Sequence, residues 1–229
     1  MRFFISILFM VFICIGQVFP KSVHYADVEY QDVVAKSREM LEQHASFHEV
    51  NDELATRILE RFLVELDPLK IYFLQSEIEE WLHPSPLILQ EVQIGFLNGS
   101  FPIFKKILND FSIALKRNET LEKIAGTYPK SDYVREKYLK NNQWASDIEQ
   151  LLIRIRMVQV LEESVLSRFE PDMRQKALER FEKRKKMAHE LLFSSDRLER
   201  EKVISTMLLK AFSQALDSQS VYFTPVEAN

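Results

Sequence analysis

Two stretches of the chain, 58–73 and 208–223, finish an apolar helical face in the same way, and this shared ending constrains the fold more than any other feature. Leu59, Phe62, Leu66, Asp67, Tyr72 and Phe73 reappear as Leu209, Phe212, Leu216, Asp217, Tyr222 and Phe223, with Ile58/Leu208 and Ile71/Val221 as close substitutions. The first four apolar positions keep the three-and-four spacing of one face of an α-helix. After the Leu-Asp pair the rhythm stops, so each copy predicts a helix end, a turn and an aromatic anchor. A single echo this far apart does not fit a solenoid, whose period is about 20 to 50 residues.

Punctuation between the apolar runs predicts the other elements. A helix is expected from about Ala26 to Phe47, with Val33, Val34, Met40, Leu41 and Ala45 on its apolar face. Asn51, Asp52 and Glu53 read as the cap and acidic first turn of a second helix, which Asp67-Pro68 ends. Ser76 to Trp81 reads as a third, and Pro84-Ser85-Pro86 and Asn98-Gly99-Ser100 mark breaks. Pro102 stands where a first helical residue belongs, ahead of the stripe Ile103, Phe104, Ile107, Leu108, Phe111 and Leu115. Asn118 to Asn142 is expected to be an irregular surface excursion. Long helices are expected over Trp144 to Phe169 and Pro171 to about Phe193, and a last one from the Ser195-Asp196 cap to Leu216.

These patterns contain no strand signal, and four Gly in 229 residues, against ~7 % in average proteins, leave little backbone freedom for phosphate loops, nucleophile elbows or hairpins. The expected fold is all-α, an irregular domain of about six to nine helices. The chain is long enough for one large helical domain or two small ones. A formal charge of −4 opposes a general affinity for nucleic acid or anionic membranes.

Met1 to Gly16 carries one basic residue, Arg2, and then the apolar run Phe3 to Ile15, which reads as an export signal or N-terminal anchor over 1–16. The run is shorter than the ~20 apolar residues that span a bilayer. The only cysteine, Cys14, lies inside it, so the rest of the chain has no thiol for a disulfide, a metal or nucleophilic attack. Residues 17–25 read as a linker, 26–225 as the helical domain and 226–229 as a truncated linker.

Candidate chemistry is sparse. His44 and His48 stand four apart on the expected first helix, but two imidazoles without a third ligand do not make a zinc site. Glu77, Glu79 and Glu80 suit the positive end of a helix dipole without any catalytic duty. Asp67 and Asp217 are expected to accept backbone N–H bonds in the turns that follow them, with the Tyr-Phe pairs packed on the core. Lys183 to Lys186 point to all sides of a helix among Glu179, Glu182 and Glu190, as on a solvated face. Neither Gly-x-Ser-x-Gly nor Ser-x-x-Lys occurs anywhere in the chain. No catalytic, cofactor-binding or metal-binding residue is therefore assigned.

His44, Leu66-Asp67-Pro68, Lys70, Tyr72-Phe73-Leu74 and Ser76-Glu77-Ile78 resemble the N-terminal helical domain of the tail-specific proteases, or carboxyl-terminal processing peptidases, of bacterial envelopes. Arg180-Phe181, Arg184 and Leu216 to Pro225 resemble that family's later helical stretch and the motif leading into its PDZ domain. Ser218 and Gln219 replace the family's Pro and His, and Glu77 an Asp. The resemblance implies a non-catalytic scaffold, exported to the periplasm or anchored at the inner membrane. It also implies that the PDZ domain and the Ser/Lys catalytic module would lie beyond Pro225, outside this chain, as expected of a truncated gene product or half of a split gene. The implied partners are a separate PDZ/protease chain in trans, protein substrates and adaptor proteins. No cofactor, nucleic acid or small-molecule substrate is expected. A free-standing helical adaptor or holdase, using grooves lined by some of the 17 Phe, is the alternative.

Overall fold

The computed structural model describes residues 28–128, 143–217 and 222. Among the described residues the fold is all-α, with eight helices and no strand: α1 (Tyr30–Gln43), α2 (Asp52–Leu66), α3 (Gln75–Leu82), α4 (Pro86–Asn98), α5 (Pro102–Ala125), α6 (Ile148–Leu166), α7 (Pro171–Leu192) and α8 (Arg197–Leu216).

Four helix starts among the described residues carry a side-chain cap, at Asn51 and Asp196 as expected and at Ser85 and Asp147 where no cap was expected. The Asn51 side chain accepts from the Leu54 N–H at 2.9 Å, Asp147 from Gln150 at 2.8 Å and Asp196 from Leu198 at 2.8 Å. Ser85 caps α4 with Pro86 as its first residue, and Gly99 closes that helix in the left-handed region at φ 76°.

Several boundaries differ from the sequence expectation, and three of them have a visible cause. α1 stops at Gln43 rather than near Phe47, because His44 turns to extended backbone and its Nδ1 accepts the Ser46 and Phe47 N–H groups at 3.2 and 3.0 Å. α5 continues through Asn118 to Ala125, although that stretch reads as irregular. Asn118 is buried, and its side chain donates to the Ile71 carbonyl at 2.8 Å instead of competing for its own helix backbone. α6 begins at Ile148 rather than Trp144. Trp144 packs edge-on against Phe73 with centroids 6.2 Å apart, and Ala145 forms an isolated parallel bridge with Leu74. Residues 129–142 of the expected excursion lie outside the described residues.

The chain divides into two compact units, each assembled from separate stretches. The first, an aromatic unit, comprises His24–Pro68, Glu77–Ser112 and Glu190–Asn229. Within it α8 packs most extensively on α2 and next on α1, while α4 packs on both α2 and α1. Both members of the sequence echo thus lie in one core. Ile58, Leu59, Phe62 and Leu66 are buried, and so are Leu208, Leu209, Phe212 and Leu216. Four rings run through this core in contact: Phe62 with Phe104 at 4.9 Å, Phe104 with Phe96 at 6.4 Å, and Phe96 with Phe212 at 5.1 Å. Full burial of each such side chain stabilises by about 1.5–3 kcal/mol, and each ring pair adds about 0.5–1.5 kcal/mol.

The second, an arginine unit, comprises Met1–Val23, Leu69–Ser76 and Ile113–His189. Its core joins Ile71, Leu121, Ala125 and Ala145 to Leu151, Leu152, Ile155 and Val158 of α6. Arg154 and Arg156 are also buried. The Arg156 guanidinium donates to the Tyr128 carbonyl at 2.9 Å and to Gln159 and Glu163 at 3.3 Å each. That partnering offsets the cost of burying a charge.

Candidate binding cleft and paired helix ends

The two helix ends share a sequence but not a surrounding. At the end of α2 the Asp67 N–H still donates to Leu63 O at 2.9 Å, and the whole residue is buried and partnered. The following loop is held by its own carbonyls: Tyr72 O accepts from the Arg117 guanidinium and Ile71 O from Asn118. Gln75 N donates to Ala145 O at 2.8 Å, and Phe73 is buried. Lys70, in the left-handed region at φ 53°, lies 5.2 Å from the Trp144 ring centroid. At the end of α8 the Asp217 N–H donates to Ser213 O at 3.3 Å, but Asp217 is exposed. The Tyr222 N–H donates to Ser213 Oγ at 3.1 Å. Phe223 lies outside the described residues. The expectation of one shared role for the two carboxylates therefore meets two different environments.

The other singled-out residues are apart from one another. His44 lies beyond the end of α1, with its ring against Phe47 at 5.5 Å and its Nδ1 used as an acceptor. His48 is exposed in the following loop, so the two imidazoles do not share a helix face. Of the α3 carboxylates, Glu79 lies 3.6 Å from His83, Glu80 pairs with Lys106 at 2.9 Å, and Glu77 is half-buried in the first turn. Lys106 Nζ also stands 4.5 Å from the centroid of the buried Trp81 ring. Beside it, burial raises the Asp110 pKa against the pull of Lys106, with Glu80 and Glu77 pushing the same way as burial. The Trp81 N–H pulls Asp110 down again without closing a hydrogen bond of full geometry. Lys183 and Lys186 are exposed on α7. Among the described residues no group of three or more His, Cys, Asp or Glu side chains is placed to hold a metal ion, and no helix is long and apolar enough to cross a membrane.

A feature that sequence reading missed is a cleft of about 760 Å³ in the aromatic unit, between the last turns of α1, the start of α2 and the end of α4. Leu41 and Phe96 are buried beneath it. Arg38, Glu42, Glu49, Asp52 and Glu53 supply its charge, four carboxylates against one guanidinium. Gln93 fixes the α4 wall to the α2 wall by donating to Asp52 Oδ1 at 2.7 Å. The α4 wall ends in a tight turn. A Cβ at Gly95 would meet Ser100 O at 2.7 Å, and one at Gly99 would meet Gln31 Nε2 at 2.6 Å. Gln31 of α1 reaches the same turn, donating to Asn98 O at 3.4 Å. The α1 wall is tied to α8 where the Tyr30 N–H donates to Glu201 Oε1 at 3.2 Å. Burial first, and Glu201 next, push the Tyr30 hydroxyl up to about 12. One sequence signal pointed toward the cleft: Glu42 lies in a last helical turn that has no basic residue.

The profile of the family described as "Tail specific protease N-terminal domain" matches residues 36–226. No curated relative matches the chain. The matched span contains both helix ends, the ring core and all but the first turns of α1, and on that match the chain belongs to the tail-specific protease N-terminal domain family.

Proposed function

We propose that this chain is a non-catalytic helical scaffold of a tail-specific serine protease that works in the bacterial envelope, with the PDZ and Ser/Lys catalytic modules supplied outside residues 1–229. The observation that carries this reading is the family match over a span whose doubled helix ends are built into one core. Such a core holds helices at fixed positions and offers its surfaces to other modules. The scaffold docks in trans on a chain bearing the PDZ and protease modules, and protein substrates or adaptor proteins are its other partners. Residues 1–16 direct export to the periplasm, as a cleaved signal or an inner-membrane anchor.

The test is a cleavage assay on an unfolded protein with an apolar C-terminal tail. The purified chain is expected to leave it intact, and to co-purify with and raise cleavage by a PDZ/protease chain of the same family. Cleavage by this chain alone, abolished by a single Ser→Ala change, would refute the scaffold reading. Cell fractionation tests the periplasmic assignment.

Leu87, Ile94 and Leu97 are exposed on α4 and favour a second reading, a free-standing adaptor or holdase. That reading predicts suppression of client aggregation without any protease chain, and loss of it in Leu87→Ser/Leu97→Ser.

A further inference from the structure

The cleft between α1, α2 and α4 holds charges that its own fold does not use. Asp52 and Glu53 have structural duties: they sit in the first turn of α2, where the dipole favours carboxylates, and they bond Gln93 and Arg57 at 2.7 and 2.6 Å. Glu42 has none. It sits in the last turn of α1, where the helix carbonyls already present negative charge and no basic residue stands within that turn; Arg38, one turn earlier, forms no ion pair with it. Glu49 is exposed on the loop that forms another side of the cleft. Among the described residues neither Glu42 nor Glu49 forms an ion pair. Below this acidic rim lie the buried Leu41, Phe96 and Ser37, whose hydroxyl donates to Val34 O at 3.1 Å, and Leu97 at the edge is 73 % exposed. The volume, about 760 Å³, falls within the roughly 300–1,000 Å³ of ordinary ligand sites.

From this charge complementarity we infer that the cleft binds a peptide segment in which lysine or arginine is flanked by apolar side chains. The cation meets Glu42 and Glu49, which form no ion pair among the described residues, and the apolar neighbours cover Leu97 beside the buried Leu41 and Phe96. An acidic peptide is rejected by the same rim, and a purely apolar one leaves the carboxylates unpaired. Arg38, the one guanidinium of the lining, opposes the cation, so its removal strengthens binding. The inference rests on the cleft alone and holds whether or not the chain serves a protease.

The test uses the whole chain and two end-blocked peptides carrying an uncharged dye, Leu-Lys-Phe-Arg-Leu and Leu-Glu-Phe-Glu-Leu, followed by fluorescence anisotropy at low salt. The basic peptide is expected to bind at least about tenfold more tightly than the acidic one, and to weaken as salt shortens the screening length. Glu42→Gln/Glu49→Gln is expected to weaken it about tenfold and Leu97→Ser about threefold, while Arg38→Gln tightens it. Glu60→Gln, exposed on α2 outside the cleft, is the control and leaves affinity unchanged. Because the substituted side chains are exposed, circular dichroism is expected to be the same for every variant. Equal affinity for the two peptides, binding of neither, or an equal loss in the Glu60 control overturns the inference. So does a concentration-dependent dimer that Leu97→Ser dissolves in sedimentation, because it would assign the cleft to a second copy.

Discussion

The end of α2 and the end of α8 are spelled alike, yet the two stops themselves sit in different surroundings. Before the stop the two are equivalent: Phe62 and Phe212, Leu66 and Leu216 are buried in the same core. At the stop they part. Asp67 is fully buried, whereas Asp217 is exposed. The loop after Asp67 is held through its carbonyls by Arg117 and Asn118. A local sequence pattern therefore specifies a helix end, while the energy of that end comes from what packs around it.

The severest way to break the comparison is to truncate the equivalent rings. Phe62→Ala and Phe212→Ala are each expected to cost about 3–5 kcal/mol in urea unfolding, and costs differing by more than a factor of two would end the equivalence before the stop. Next come the carboxylates. Asp67→Ala is expected to cost about 2–3 kcal/mol, because the group is fully buried, and Asp217→Ala to stay within about 0.5 kcal/mol, because it is exposed to solvent. Equal costs would show that the burial difference carries no energy.

Asn118→Ala isolates the loop after the first stop. It leaves the Ile71 carbonyl without its side-chain donor and is expected to cost about 1–2 kcal/mol, with faster amide exchange confined to 69–76. The smallest effect is expected where the two helices meet near their ends. Gln214 donates to Glu65 Oε1 at 2.8 Å in a half-buried setting, so a double-mutant cycle between them should return a coupling of about 0.5–1 kcal/mol. A coupling near zero would mean that apolar packing alone joins α2 to α8.

The parts of the fold that were legible in the sequence are those fixed by local chemistry. Asn51, Pro102 and Asp196 each begin a helix as expected, and the breaks read at Ser85 and Gly99 fall at the two ends of α4, a helix that was not itself expected. The periodicity of 58–66 and 208–216 marked the buried face correctly. What escaped was set by distant partners. His44, a local exception, ends α1 with its own ring, whereas Asn118 spends its amide on another segment and Trp144 leaves the helix to meet Phe73. The cleft escaped for the same reason. Its walls come from three elements whose proximity only the packing of α4 on α1 and α2 creates.

The line of touching rings from Phe62 to Phe212 has a practical consequence for redesign. Phe104 and Phe96 each touch a ring on either side, so enlarging or shrinking one of them alters the room left to its neighbours. A combinatorial library that randomises these four positions one at a time would discard nearly every replacement, whereas one that varies them jointly has access to compensated solutions that conserve total volume.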